Sequence, residues 1–115
     1  MKNNISMKDF YEKYNNEELT ILDVRENHEY AAGYIPSAQN FPLSSLGIEF
    51  TKLDKNQKYY VICQAGGRSA RAYDFLEAQG YTVINVEGGM NNWPGEKNKI
   101  LNNKNNQILL YWNSL

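Results

Sequence analysis

The chain has 115 residues, 42% of them apolar and 22% charged, with a net charge of -1. That is the make-up of one globular domain with its own core, and it excludes a disordered chain and a strongly basic surface for nucleic acid or anionic membranes. A single cysteine excludes an internal disulfide and a C-x-x-C metal or redox pair, and no metal signature is present. Residues 1–16 lack the apolar stretch of a signal peptide, and no run is long enough to span a membrane, so a cytoplasmic location is expected.

In chain order, Ser6 is a candidate N-cap and the first ordered element begins there. Met7, Phe10, Tyr11 and Tyr14 follow at helical spacing, and Asn15 and Asn16 close the helix. Thr20 to Val24 is a β-branched and apolar run, read as a buried strand, ending in Asp23-Val24-Arg25. Glu26 to Ala32 predicts one or two helical turns closed by Gly33, and Pro36 marks a turn. Ala38 to Phe41 predicts a very short strand, and Pro42 to Leu46 a helical turn broken by Gly47, with Ile48 to Leu53 ambiguous. Tyr59 to Ile62 is a strand. Ala70 to Ala78 has the spacing of a helix packed on a sheet and ended by Gly80. Thr82 to Val86 is the next strand, followed by a tight Glu87-Gly88-Gly89 connection and a short turn of helix from Met90 to Trp93.

Strands alternate with helices, and the strands are apolar throughout rather than on alternate residues. Both features predict an α/β fold with a parallel sheet covered on its two faces. Ligands of such folds bind at the carboxyl ends of the strands, where Asp23–Arg25, Cys63–Arg68 and Glu87–Gly89 are all expected to lie. From Glu96 onward the chain turns polar and Asn-rich before the apolar Ile108 to Trp112. The expected division is a domain over residues 1–97 and a tail over 98–115. The tail, with its stretch Ile108 to Leu115, is readable as a docked helix, a dimer contact or a disordered end.

The chemistry concentrates at Cys63. An apolar strand runs into it, and Gly66, Gly67, Arg68 and Ser69 follow at the start of a helix. A lone cysteine after an apolar strand is commonly a small buried hydrophobe. Here, however, a strand-to-helix turn aims backbone N–H groups inward, and with the helix N-terminus and a nearby arginine these favour the thiolate, which is the nucleophilic form. Gly66 and Gly67 permit backbone angles closed to other residues and leave room for a small ligand. Arg68 reads either as a solvated first-turn residue or as a holder of an anionic substrate such as an oxyanion of sulfur, phosphorus or arsenic. Ser69 reads as a helix cap in preference to a chemical role. Asp23 and Arg25 read as a structural ion pair or cap, and His28 as a solvated surface imidazole.

Three separated motifs resemble the single-domain rhodaneses, a sulfurtransferase family. The first is Leu22-Asp23-Val24-Arg25 with Glu29-Tyr30, Gly33 to Ala38, Asn40 and Pro42-Leu43. The second is Cys63-Gln64-Ala65-Gly66-Gly67-Arg68-Ser69 with Ala72. The third is Gly88-Gly89 with Trp93-Pro94-Gly95. The family usually has His where this chain has Tyr34, at a packing position. The resemblance runs from about Met7 to Gly95 and does not cover the tail.

It implies a three-layer fold with a central parallel sheet of about five short strands. It also implies sulfur transfer from thiosulfate or another persulfide donor through a Cys63 persulfide, held among the N–H groups of Gln64, Ala65, Gly66, Gly67, Arg68 and Ser69. The acceptor would be cyanide in an assay, and a thiol or a partner protein otherwise. Asp23, Arg25 and Glu29 resemble residues that brace the loop, and no cofactor is implied. Two other readings remain open. A carrier that docks on a partner protein would have the same sequence. Phosphatases and arsenate reductases of related fold need C-x5-R to wrap a tetrahedral oxyanion, whereas Cys63 to Arg68 is C-x4-R, a tighter loop suited to one added sulfur atom.

Overall fold

A computed structural model of the chain describes residues 2–100. The apolar Ile108 to Trp112 and most of the expected tail lie outside the described residues. Five strands form one sheet in the order β1-β5-β4-β2-β3: β1 (Asn4–Ile5), β2 (Ile21–Asp23), β3 (Gln39–Asn40), β4 (Lys58–Ile62) and β5 (Thr82–Val86). Every pairing is parallel, with Ile21 opposite Tyr60 and Tyr60 opposite Ile84 in the central strands. The helices are α1 (Met7–Asn16), α2 (Asn27–Ala32), α3 (Leu43–Glu49) and α4 (Gly67–Ala78), with 3-10 turns at Phe50–Lys52 and Gly89–Asn92. Among the described residues, no helix is long and apolar enough to cross a membrane.

The layers follow from the period of two along each strand. Leu22, Tyr59, Val61 and Val83 point to one face, where they meet Leu46 of α3 and Ala72, Tyr73 and Leu76 of α4. Ile21, Tyr60, Ile62 and Val86 point to the other, against Phe10 of α1 with Trp93 and Met90, and Tyr30 of α2 packs at its margin. Both faces are covered, so the central strands are buried on both, which is why they read as continuous apolar runs. Cys63, one residue beyond β4, continues the alternation onto the α4 face.

Two elements depart from the sequence reading. The first ordered element is β1, not α1. Its residues Asn4 and Ile5 pair with Asn85 and Val86 at the sheet edge, ahead of the expected Ser6 cap, whose hydroxyl does accept from the Asp9 N–H. α1 ends at Asn16, where the asparagine pair is expected to close it. Gly47 does not break α3, which continues to Glu49 and into the 3-10 turn. One exposed glycine costs a helix only about 1 kcal/mol, and here Leu46, Leu53 and Phe50 anchor the segment to the core on either side of it.

Candidate active site

The loop from Cys63 to Gly66 is shaped by one left-handed residue. Gly66 has φ 112 and is the N-cap of α4, so the chain reverses into the helix there. The reversal brings the Gly66 N–H to 3.0 Å from Cys63 Sγ. Ser69 is buried, with its Oγ 3.4 Å from the same sulfur and 3.2 Å from the Gly66 carbonyl, to which it donates. This corrects the cap reading of Ser69. It is the third residue of α4, and its hydroxyl lies against the thiol.

Burial of the thiol pushes its pKa up. The Ser69 hydroxyl and the N–H groups of Ser69, Gly66 and Ala65 more than offset that, and the net shift is downward.

The three strand ends meet at this loop. From β2, Arg25 curls back on Asp23, its Nε 3.0 Å and one terminal nitrogen 2.8 Å from the carboxylate. The same terminal nitrogen donates to the Gly33 carbonyl at 2.7 Å, and the other to Gln64 Oε1 at 3.2 Å. Asp23 and Arg25 are both buried. Glu29 of α2 takes both terminal nitrogens of Arg68, at 2.6 and 2.9 Å. The Arg68 hydrogen bonds hold the Glu29 carboxyl at about 2, well below its ordinary 4.5, against a smaller opposing effect of burial. Arg68, read from sequence as a possible holder of an anionic substrate, is thus engaged by a carboxylate 39 residues away.

From β5, Gly88 and Gly89 turn with φ 79 and 60, and the backbone that follows donates to the loop. Met90 N–H reaches the Cys63 carbonyl at 2.8 Å, and Asn91 N–H the Gln64 carbonyl at 2.9 Å. The Asn91 side chain also accepts from Gln64 Nε2 at 2.6 Å. A Cβ on Gly89 would stand 2.3 Å from the Cys63 carbonyl oxygen, so only glycine fits. Asn91 is the residue that sequence reading misses, and its one signal was that it follows a third strand end. His28 is exposed and takes no part in these contacts. Tyr34, at the position where His is usual, stacks on Tyr30 with ring centroids 4.2 Å apart.

A parallel α/β sheet with a cysteine cradled by backbone N–H groups at its carboxyl edge defines the class. Residues 6–96 match the family model described as "Rhodanese-like domain", and the chain belongs to that family. It is 42% identical over 80 residues to a putative sulfurtransferase, YtwF, of Bacillus subtilis, across 70% of this chain and 78% of the relative. It is 39% identical over 94 residues to a putative sulfur carrier protein, YrkF, of the same organism, across 80% of this chain and 51% of that one, so it spans about half that relative's length. Among solved structures, a rhodanese-like domain protein of Staphylococcus aureus superposes with a TM-score of 0.79 at 36% identity, covering 88% of this chain and all of that one.

Proposed function

We propose that the protein moves a sulfane sulfur, from thiosulfate or another persulfide donor to a thiol or an acceptor protein, through a persulfide on Cys63. The observation that carries this is the Cys63 sulfur itself, set among the Gly66 N–H, the Ser69 N–H and the Ser69 hydroxyl in a C-x4-R loop. Family membership and relatives named sulfurtransferase support sulfur transfer in general.

In this reading the Cys63 thiolate attacks the donor's outer sulfur. The donor's S–S bond breaks and its electron pair leaves with sulfite or with a thiolate. The Cys63 persulfide then occupies the N–H cradle of Gln64, Ala65, Gly66, Gly67, Arg68 and Ser69. A second nucleophile attacks the outer sulfur and restores Cys63, so turnover is ping-pong. Asp23 and Arg25 brace the loop through Gln64, and Glu29 braces it through Arg68. The reading places the reaction in the cytoplasm. A second reading, a persulfide carrier that turns over slowly with small acceptors and docks on a partner protein, draws on the relative named a putative sulfur carrier.

Intact-mass measurement under anaerobic conditions tests the proposal. After incubation with thiosulfate or with a thiol persulfide, the protein should gain one sulfur atom, which cyanide removes and which Cys63→Ala does not acquire. No gain from either donor would overturn it. Slow release to cyanide and small thiols, with rapid release to a partner from lysate, would favour the carrier reading.

A further inference from the structure

We propose that the preferred donor is a thiol persulfide, R–S–SH, rather than thiosulfate. The inference rests on the reading of Cys63 as the sulfur-accepting residue and narrows its donor.

The argument is a charge inventory of the loop and its rim. Both guanidiniums there are already neutralised. Every nitrogen of the Arg25 side chain is committed, to Asp23, Gly33 and Gln64, in a buried cluster. The two terminal nitrogens of Arg68 lie one on each Glu29 oxygen, a bidentate pairing that offsets its charge. Two further carboxylates stand at the same strand ends. Glu26, after β2, accepts from Ser44, and Glu87, after β5, is exposed; among the described residues neither forms a salt bridge.

What the loop offers a sulfur atom is therefore a set of dipoles, the N–H groups of Gly66, Ala65 and Ser69, directed at Cys63 Sγ itself, with the Ser69 oxygen beside it. Such a nest suits one negative charge on one sulfur. Thiosulfate brings two charges to the atoms that react, against the thiolate and with Glu26 and Glu87 at the neighbouring strand ends, and sulfite must leave with both. With R–S–SH the thiolate bonds to the outer sulfur and the donor's S–S bond breaks. R–S⁻ leaves with the electron pair and one charge, and the proton stays on the transferred sulfur until the new persulfide ionises. Any carboxylate on R lies away from the reacting atoms.

The sign of the salt effect separates the two donors without any substitution. Sulfur loading of the wild-type protein is followed by intact mass with thiosulfate and with cysteine persulfide at low and at high KCl, spanning roughly 20 to 200 mM so that screening becomes effective over about 10 Å. A loop whose two guanidiniums, Arg25 and Arg68, are both paired predicts that added salt speeds thiosulfate loading several-fold and moves persulfide loading less.

Two variants then supply the missing charge. Glu29→Gln releases Arg68, and Ala65→Arg adds a guanidinium at an exposed loop position. In each, the ratio of thiosulfate to persulfide loading rates should rise by roughly tenfold or more, since like-charge juxtaposition is strongly disfavoured at a binding site. Thiosulfate loading that slows with salt, or a ratio unmoved in both variants, overturns the proposal and leaves sulfur transfer intact. Loading by neither donor overturns sulfur transfer itself.

Discussion

On the side of the Cys63 loop that faces β2 and α2, two guanidinium–carboxylate pairs, Arg25–Asp23 and Arg68–Glu29, hold the loop by side chains. On the side that faces β5 the contacts to Cys63 and Gln64 are mainly backbone: two N–H donors from Met90 and Asn91, and a glycine whose missing Cβ lets the chains approach. The difference lies in what can be adjusted. Backbone contacts have one geometry and do not titrate. A charged side chain can be protonated, parted or given another partner, so the β2 and α2 side holds the loop by contacts that can be altered, and the β5 side holds it by contacts that cannot.

The two pairs on the charged side are themselves unequal. The Arg25 and Asp23 side chains are 5% and 0% exposed, those of Arg68 and Glu29 29% and 26%. Asp23→Ala should therefore have the largest effect on stability. It strands a guanidinium in the interior, and breaking a buried pair costs about 3–5 kcal/mol. The midpoint of urea denaturation should fall accordingly. A loss below about 1 kcal/mol would mean that Arg25 swings out to solvent and that the pair is no strut.

Gly89→Ala tests the other side and should come next. The added methyl meets the Cys63 carbonyl oxygen at 2.3 Å and the Gln64 carbonyl at 2.7 Å, and the residue must also hold φ 60. Left-handed strain alone costs about 1–3 kcal/mol, and the overlap forces the loop to move. The expected result is a modest fall in stability with a disproportionate change in Cys63 reactivity toward iodoacetamide, because the displaced atoms belong to the cysteine itself. Unchanged reactivity would show that the β5 side does not position the thiol.

Much of this arrangement is legible in the residues. β2, β4 and β5 are apolar on both faces because they are central, and Cys63 followed by two glycines and a helical pattern marks the turn. What escapes reading depends on partners distant in the chain. Asn4 and Ile5 are a strand only because β5 offers a free edge beside them. Ser37 adopts φ 78 in the turn after Pro36, where a glycine would have announced the conformation. The partners of Arg68 and Gln64 cannot be inferred locally either. Glu29 lies 39 residues before Arg68, and Asn91 lies 27 residues after Gln64. For Ser69 the local rule pointed the wrong way. Serine at a helix start commonly caps, but here Gly66 takes that position, and the Ser69 hydroxyl donates to the Gly66 carbonyl with its oxygen against the sulfur.

The smallest expected effect concerns the Arg68–Glu29 pair, and its dependence on pH gives it away. Arg68 holds the Glu29 carboxyl at about 2, against an ordinary 4.5. A carboxylate whose pKa is lowered on folding stabilises the folded chain fully above the unfolded value. That contribution is lost as the pH falls from about 4.5 toward 2. Both side chains are partly exposed, so solvent screening limits the pair to about 0.2–1 kcal/mol. Glu29→Gln keeps the shape and cannot titrate. Wild type should thus be the more stable protein in denaturant at pH 6, and the gap should narrow steadily between pH 5 and pH 2. A gap that stays constant over that range would mean that the shape of Glu29, and not its charge, supports Arg68. The movable side of the loop would then be no more adjustable than the side built from backbone.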